Sequence, residues 1–110
     1  MTAGSDRIRA LNDSFRAGGS SGGTWLVTTG VEALGPYFVL EALRQVRAYD
    51  RFTADNDPHG EHDFGSFELS GERLFWKIDY YDLNGQFGSE DPSNASGTLR
   101  VLTIRLADEY

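Results

Sequence analysis

The sequence predicts an α+β domain of two layers, in which two helices pack on a mainly antiparallel sheet of about four strands. Three observations lead to this prediction. Apolar residues recur at helical spacing in two segments, apolar and polar residues alternate along a segment of strand length, and a Ser-Gly pair joins two strand-like segments directly. The predicted order of elements is helix, strand, helix and three strands. Because consecutive strands joined by short turns pair antiparallel, the predicted sheet is mainly antiparallel.

The first predicted helix spans residues 5–16. Ile8, Leu11 and Phe15 fall at positions i, i+3 and i+7, so they form one apolar face. The Gly/Ser-rich stretch 18–23 follows, and its composition is typical of a flexible connector. Because the chain before this connector is too short to fold alone, we predict a single domain over residues 1–110.

The second predicted helix begins at Pro36, because proline is tolerated in the first helical turn, and it ends near Asp50. It follows a predicted strand over residues 24–29, which is rich in β-branched and aromatic side chains. Two stripes run along this helix. The apolar stripe consists of Val39, Leu43 and Val46, and the arginine stripe consists of Arg44, Arg47 and Arg51.

The next predicted strands span residues 66–70 and 73–82 and are joined by a turn at Ser70-Gly71. In the second of these strands, residues of one parity form the core face: Leu74, Trp76, Ile78 and Tyr80. The last predicted strand covers residues 97–106. Its apolar residues change parity between Val101 and Leu102, which predicts either a β-bulge there or burial on both faces of the sheet.

The composition favours an acidic protein of the cytoplasm. The 17 acidic and 10 basic residues give a formal net charge of −7, which disfavours direct binding to nucleic acid or to an anionic membrane. The absence of cysteine excludes disulfides and thiolate zinc sites. The first residues lack the apolar stretch of a signal peptide, and no apolar run approaches the roughly 20 residues of a membrane span.

Ionisable side chains are most concentrated in residues 55–65, which contain both histidines and four carboxylates. One interpretation is a metal site of imidazole and carboxylate ligands. Its candidate ligands are His59, His62, Asp57 and Asp63. The i, i+3 spacing of the histidines differs from the i, i+4 spacing of helical zinc proteases. A metal-binding protein or small metal-dependent enzyme is the alternative function.

A structural interpretation competes with the metal site. Asp and Asn initiate turns by bonding to nearby backbone groups, and Asp57-Pro58 followed by Gly60 is ordinary turn chemistry. On this interpretation the arginine stripe pairs with Asp55, Asp57 or Asp63 and orders the segment. The sequence contains no recognisable nucleophile motif or oxyanion-binding loop, so no reaction is named and no cofactor is expected.

Five blocks of the sequence resemble one bacterial family. They are residues 8–16 (IRALNDSFR), 52–58 (FTADNDP), 60–65 (GEHDFG), 75–82 (FWKIDYYD) and 100–104 (RVLTI). These blocks resemble the domain-of-unknown-function family 3768, whose members are small acidic proteins of proteobacteria, often carried on plasmids and prophages. The resemblance covers nearly the whole chain and names no reaction, cofactor or catalytic residue. It implies a mobile-element context, in which small acidic proteins often block host defence.

The resulting hypothesis is a non-enzymatic inhibitor of host defence, such as an anti-CRISPR or anti-restriction protein. It would bind a basic nucleic-acid channel of a CRISPR or restriction complex, with carboxylates standing in for phosphates. The predicted partner-binding residues are Asp55, Asp57, Glu61, Asp63, Asp79, Tyr81, Asp82, Glu90 and Asp91. This mimicry requires one concentrated acidic surface, because B-DNA carries one charge per about 1.7 Å of its axis.

Overall fold

The computed structural model describes residues 3–18 and 23–109, so most of the predicted connector lies outside the described residues. The helices are α1 (Ala3–Arg16), α2 (Thr29–Glu32) and α3 (Pro36–Arg47). The strands are β1 (Gly23–Val27), β2 (Phe64–Leu69), β3 (Glu72–Tyr81) and β4 (Leu99–Leu106), and short 3₁₀ turns at Ala95–Gly97 and Ala107–Glu109 flank β4. Across both described ranges, none of the helices is long and apolar enough to cross a bilayer.

The four strands form one mixed sheet in the order β1-β4-β3-β2. Strands β2, β3 and β4 pair antiparallel, whereas β1 pairs parallel to β4, with Trp25 opposite Leu102. The parallel pair arises because α2, α3 and the β2–β3 hairpin all lie between β1 and β4 in the chain. The predicted α+β class is confirmed, and the parallel pair at one edge is a detail that the sequence pattern does not contain.

One face of the sheet and the helices enclose a single buried cluster. Strand β3 contributes Leu74, Trp76 and Ile78, as its alternating pattern predicts, and Tyr80 packs against the cluster at its edge. The other buried members come from the three helices, the segment after α3, β2 and β4: Phe15, Val31, Ala42, Val46, Tyr49, Phe67, Leu102 and Ile104. Burial of these apolar side chains is the main favourable contribution to folding, at roughly 25 cal/mol per Å².

Of the two explanations predicted for the last strand, burial on both faces is confirmed and the β-bulge is wrong. The pairing of β3 with β4 runs without interruption along the 8 residues of β4. The apolar pattern changes parity because both faces of this strand contact other side chains. Leu102 faces the buried cluster, whereas Leu99 and Val101 are half-buried on the opposite face.

The boundaries of the helices show local departures from the sequence prediction. Helix α3 begins at Pro36 as predicted, but it ends at Arg47 rather than near Asp50, because the chain turns at Ala48 and buries Tyr49. The short helix α2 has no counterpart in the prediction. It begins after Thr28, whose Oγ1 atom accepts a hydrogen bond from the backbone N–H of Val31 at 3.4 Å.

Gly65 leaves room for the indole of Trp76 in the centre of the sheet. A Cβ atom at Gly65 would lie 2.2 Å from Trp76 Nε1 and 2.8 Å from Tyr49 Cε1. The two rings are buried and pack edge to face, with centroids 5.5 Å apart. Neither ring therefore has space to move aside.

We predict that Gly65→Ala lowers the free energy of unfolding by about 1–3 kcal/mol, because an added methyl group overpacks this part of the core. Urea denaturation followed by circular dichroism measures the change. Ser66→Ala is the matched control, since Ser66 is adjacent but faces away from Trp76, and we expect it to change the free energy by less than about 0.5 kcal/mol. Equal unfolding midpoints for the two variants would contradict the close packing at Gly65.

Candidate functional site

The acidic loop, residues 48–63, is bound along one side of α1. Arg9 Nη1 donates a hydrogen bond to Gly60 O at 3.1 Å, and Asn12 Nδ2 donates one to Glu61 O at 2.9 Å. Each contact links residues about 50 positions apart in the chain. Since these contacts follow one another along the helix, α1 orders the end of the acidic loop that leads into β2.

His62 lies between two carboxylates. Its Nδ1 atom is 2.8 Å from Asp13 Oδ1, its Nε2 atom is 3.6 Å from Asp57 Oδ2, and its backbone N–H donates to Asp57 Oδ1 at 3.1 Å. The imidazole stacks on Phe52 with ring centroids 3.7 Å apart. His62 has a φ of 55°, a left-handed conformation that non-glycine residues seldom adopt. These contacts stabilise the residue in that conformation.

Asn12 connects α1 to three other parts of the fold. Its Nδ2 atom also donates to Tyr80 Oη at 2.8 Å, and its Oδ1 atom accepts from Arg100 Nε at 2.7 Å. Tyr80 in turn donates its hydroxyl proton to Glu61 Oε1 at 3.0 Å. Asn12 and Arg100 are both buried, so each hydrogen bond compensates a polar group that water does not reach.

Burial is the main influence on the pKa values of Tyr80 and Arg100. Burial raises the pKa of the Tyr80 phenol far above its usual range, so the hydroxyl keeps the proton that it donates to Glu61. Burial lowers the pKa of the Arg100 guanidinium, while Tyr80 and Glu61 act in the opposite direction. The guanidinium also lies over the Tyr80 ring at 5.3 Å and donates to Pro92 O at 2.6 Å.

Arg16 joins the C-terminal end of α3 to α1. Its buried side chain donates through Nη1 to Val46 O at 2.9 Å and to Tyr49 O at 3.0 Å. These carbonyls lie at and just beyond the C-terminal end of α3, where the i+4 partners of the helix are missing. Nη2 is 3.1 Å from Asp13 Oδ1, and the guanidinium lies over the Trp76 ring at 5.0 Å. The cluster around His62 is thus continuous with the core.

The structure brings only two of the four predicted metal ligands together, Asp57 and His62. His59 is exposed, Asp57 and His62 face each other, and Asp63 is half-buried beside Glu61. Within residues 3–18 and 23–109, no three His, Asp or Glu side chains lie close enough to hold a metal ion. His62, which faces Asp57, contacts Asp13 of α1.

The predicted pairing of the arginine stripe with the acidic loop is wrong. Arg44 donates to Glu41 on its own helix, with Nε 3.0 Å from Oε1. Arg47 lies over the Trp25 ring at 5.4 Å and Arg51 over the Tyr49 ring at 5.3 Å. Arg47 and Arg51 therefore contact aromatic rings, Arg44 contacts Glu41, and the end of the acidic loop is bound by residues of α1 instead.

The nine predicted partner-binding residues do not lie on one face of the molecule. Asp57 and Glu61 accept internal hydrogen bonds from His62 and Tyr80 on the helix side of the sheet. Asp79 lies on the opposite face of the sheet, where its Oδ1 atom is 3.2 Å from Lys77 Nζ. Asp55 is exposed on the acidic loop.

The remaining predicted carboxylates meet in the segment 82–97, which follows β3 and contains no lysine or arginine. Asp82, Glu90 and Asp91 line one groove of about 460 Å³, together with Phe87. The segment is held by backbone and side-chain hydrogen bonds. Asp82 Oδ1 accepts from the Gln86 N–H at 3.1 Å, and Ser89 Oγ lies 2.7 Å from Thr98 Oγ1. Asp82 N–H donates to Phe87 O at 2.7 Å, and a bridge pairs Tyr81 with Gly88.

Two large apolar side chains are exposed in the same segment. Leu83 is 66% exposed and Phe87 is 71% exposed. Glu90 makes no hydrogen bond or ion pair with any other described residue, and Asp91 uses its Oδ1 atom to accept from Ser93 N–H at 3.1 Å. The segment therefore presents apolar and acidic side chains to solvent together.

The fold and these contacts define a small acidic α+β domain in which His62 is held between Asp13 and Asp57, and in which one segment combines exposed acidic and apolar side chains. The chain belongs to the family "Protein of unknown function (DUF3768)", whose model matches residues 27–109. The predicted family is thereby confirmed, although α1 lies outside the matched span. Neither a curated protein nor a solved structure matches the chain.

We predict that Asn12→Ala lowers the free energy of unfolding by about 3 kcal/mol, because it leaves the buried guanidinium of Arg100 without its Nε acceptor and Tyr80 without one donor. Amide hydrogen exchange should also accelerate in residues 60–62, which bond to α1. Ser14→Ala on the exposed side of the same helix is the control, and we expect a change below about 0.5 kcal/mol. Similar stability of the two variants would exclude Asn12 as a connection between α1 and the sheet.

The charge on Asp63 destabilises the fold at neutral pH. Burial raises the pKa of the Asp63 carboxyl, and the charges of Glu61 and Asp57 raise it further, whereas Lys77 lowers it. The folded state therefore binds this proton more tightly than the unfolded state does. The contribution of Asp63 to stability consequently improves as the pH falls through the folded pKa.

We predict that Asp63→Asn raises the urea midpoint at pH 7, because the variant has no carboxylate to desolvate. The gain should shrink on acidification and disappear below the ordinary carboxyl pKa of 3.8, where Asp63 is neutral in both states. Asp55→Asn, at an exposed position of the same loop, is the control and should change the midpoint at pH 7 little. A gain at Asp63 that is independent of pH would contradict the electrostatic origin.

Proposed function

We propose that the protein is a non-enzymatic interaction protein that binds a basic surface of a partner protein through the segment 82–97. The observation that carries the proposal is the exposure of Leu83 and Phe87 beside the carboxylates of Asp82, Glu90 and Asp91. Large apolar side chains supply most of the binding energy at protein interfaces, and charges mainly direct the encounter.

The groove of the segment suits a cationic side chain. Its three carboxylates attract arginine or lysine, and the Phe87 ring offers a face on which a guanidinium stacks favourably. Glu90 has no internal partner among the described residues, so its charge is available to a partner without breaking a contact. A basic protein surface satisfies both features together.

This proposal differs from mimicry of DNA by all nine predicted carboxylates. Duplex DNA presents one charge per about 1.7 Å, whereas here Asp57 and Glu61 are held in internal bonds and Asp79 lies on the other face of the sheet. The acidic side chains that remain in the segment are too few to replace a duplex. We infer that they direct binding, and that Phe87 and Leu83 anchor it.

The partner class that we propose is a nucleic-acid-binding complex of host defence, either a CRISPR or a restriction complex. Its support is the mobile-element context that the family resemblance implies, together with the net charge of −7, which favours a basic partner. Binding at such a surface would exclude the nucleic acid that normally occupies it. The protein would then act as a competitive inhibitor without cleaving or modifying anything.

We predict that Phe87→Ala weakens binding to a purified CRISPR or restriction complex by at least about tenfold, as expected for an anchor residue. Glu90→Gln should mainly slow association and reduce the dependence of binding on salt. The measurement is surface plasmon resonance against a panel of such complexes at low and high salt, with a target DNA duplex as competitor.

Asp55→Asn is the matched control, because it removes an equally exposed carboxylate from the acidic loop. It should leave association unchanged. Equal effects of Asp55→Asn and Glu90→Gln would indicate a general field rather than a site. Binding by a panel member that neither Phe87→Ala nor competing DNA reduces would contradict the proposal, as would the absence of binding across the panel.

A further inference from the structure

A second exposed apolar surface lies on α2 and α3, away from the segment 82–97. Tyr37 is 87% exposed, Leu40 is 63% exposed and Leu34 is 45% exposed. Grooves of about 440 and 530 Å³ lie beside these residues, the first against Leu69 of β2 and the second between Pro36 and Leu40. Contiguous apolar surface of this kind on a small domain usually marks an interaction site.

The spacing along α3 places this surface on one helix face. Tyr37, Leu40, Arg44 and Arg47 fall at positions i, i+3, i+7 and i+10, and all four are exposed. Ala42 and Val46 lie on the opposite face and are buried in the core. The exposed face is therefore left over after α3 has packed on the sheet.

The charge of this surface favours a partner that is neither strongly acidic nor strongly basic. From Thr29 to Arg47 the chain carries two carboxylates, Glu32 and Glu41, and two guanidiniums, so this stretch has no net charge. The rest of the molecule carries the whole net charge of −7. A second copy of the protein would meet repulsion at most other surfaces, and it would meet least repulsion here.

We propose that two copies of the chain associate through this surface, with their α3 helices antiparallel across a two-fold axis near Leu40. In that arrangement Tyr37 of each copy lies opposite Arg44 of the other, and Leu40 packs near its own counterpart. The Arg44 guanidinium, which is paired with Glu41 on its own helix, then also faces an aromatic ring of the other copy. A closed two-fold contact uses the same surface on both copies, so the dimer leaves no apolar surface of this kind exposed for a third copy.

The size of the surface indicates a reversible contact. A 12-residue helix is about 18 Å long, so this contact is smaller than a standard interface of about 1,600 Å². Contacts below the standard size are commonly transient, so we expect the dimer to dissociate on dilution. It does not depend on the proposed function, because the segment 82–97 follows the far end of β3, about 30 Å from the β2–β3 turn beside Tyr37.

Sedimentation velocity over a range of protein concentrations tests the dimer. The wild-type chain should pass from a 12.2 kDa species to one of twice that mass. Leu40→Glu and Tyr37→Glu should each weaken association at least tenfold, whereas Phe87→Ala should leave it unchanged. Circular dichroism verifies that each variant is folded. A wild-type chain that stays monomeric at several hundred micromolar overturns the proposal.

Cysteine cross-linking tests the arrangement, since the chain has no cysteine of its own. Leu40→Cys should form a disulfide-linked dimer under mild oxidation, because two copies of residue 40 meet near the axis. Leu83→Cys, equally exposed but on the segment 82–97, is the control and should cross-link more slowly. Dimers that cross-link faster through Leu83→Cys than through Leu40→Cys overturn the proposed axis.

Discussion

The side-chain amide of Asn12 lies between the buried guanidinium of Arg100 and the phenol of Tyr80. The packing of α1 against the sheet and the acidic loop depends on this amide. Its oxygen accepts from Arg100 of β4, and its nitrogen donates to Tyr80 of β3 and to the carbonyl of Glu61. An amide is suited to this position because it donates and accepts at once. Neither an apolar nor a charged side chain at residue 12 would satisfy both Arg100 and Tyr80.

The same cluster explains why an acidic composition does not produce a uniformly acidic surface. Asp57 is oriented by His62, Glu61 by Tyr80, and Asp13 serves both Arg16 and His62. These carboxylates hold α1, the acidic loop and the sheet together. In the segment 82–97, by contrast, exposed carboxylates accompany exposed apolar side chains.

The sequence predicts those parts of the fold that depend on local periodicity. The alternation along β3 correctly placed Leu74, Trp76 and Ile78 in the core. The partners of His62 could not be deduced in this way, because Asp13 is 49 residues away and the pairing depends on how α1 packs. A weaker pattern was present: Asn12 follows Ile8 by four residues on the apolar face of α1, and Arg100 shares the parity of Leu102. Polar residues on predicted core faces indicate buried networks.

The matched family span begins at residue 27, so it excludes α1 and most of β1, which both pack against the rest of the fold. A fragment cut there would lose α1 and nearly all of β1. Strand β4 would then present an unpaired edge, and the Arg100 guanidinium would lose its Asn12 acceptor. Exposed strand edges are templates for intermolecular sheet growth. The matched span is consequently smaller than the set of elements that pack together in this structure, and a fragment limited to it would expose the edge of β4.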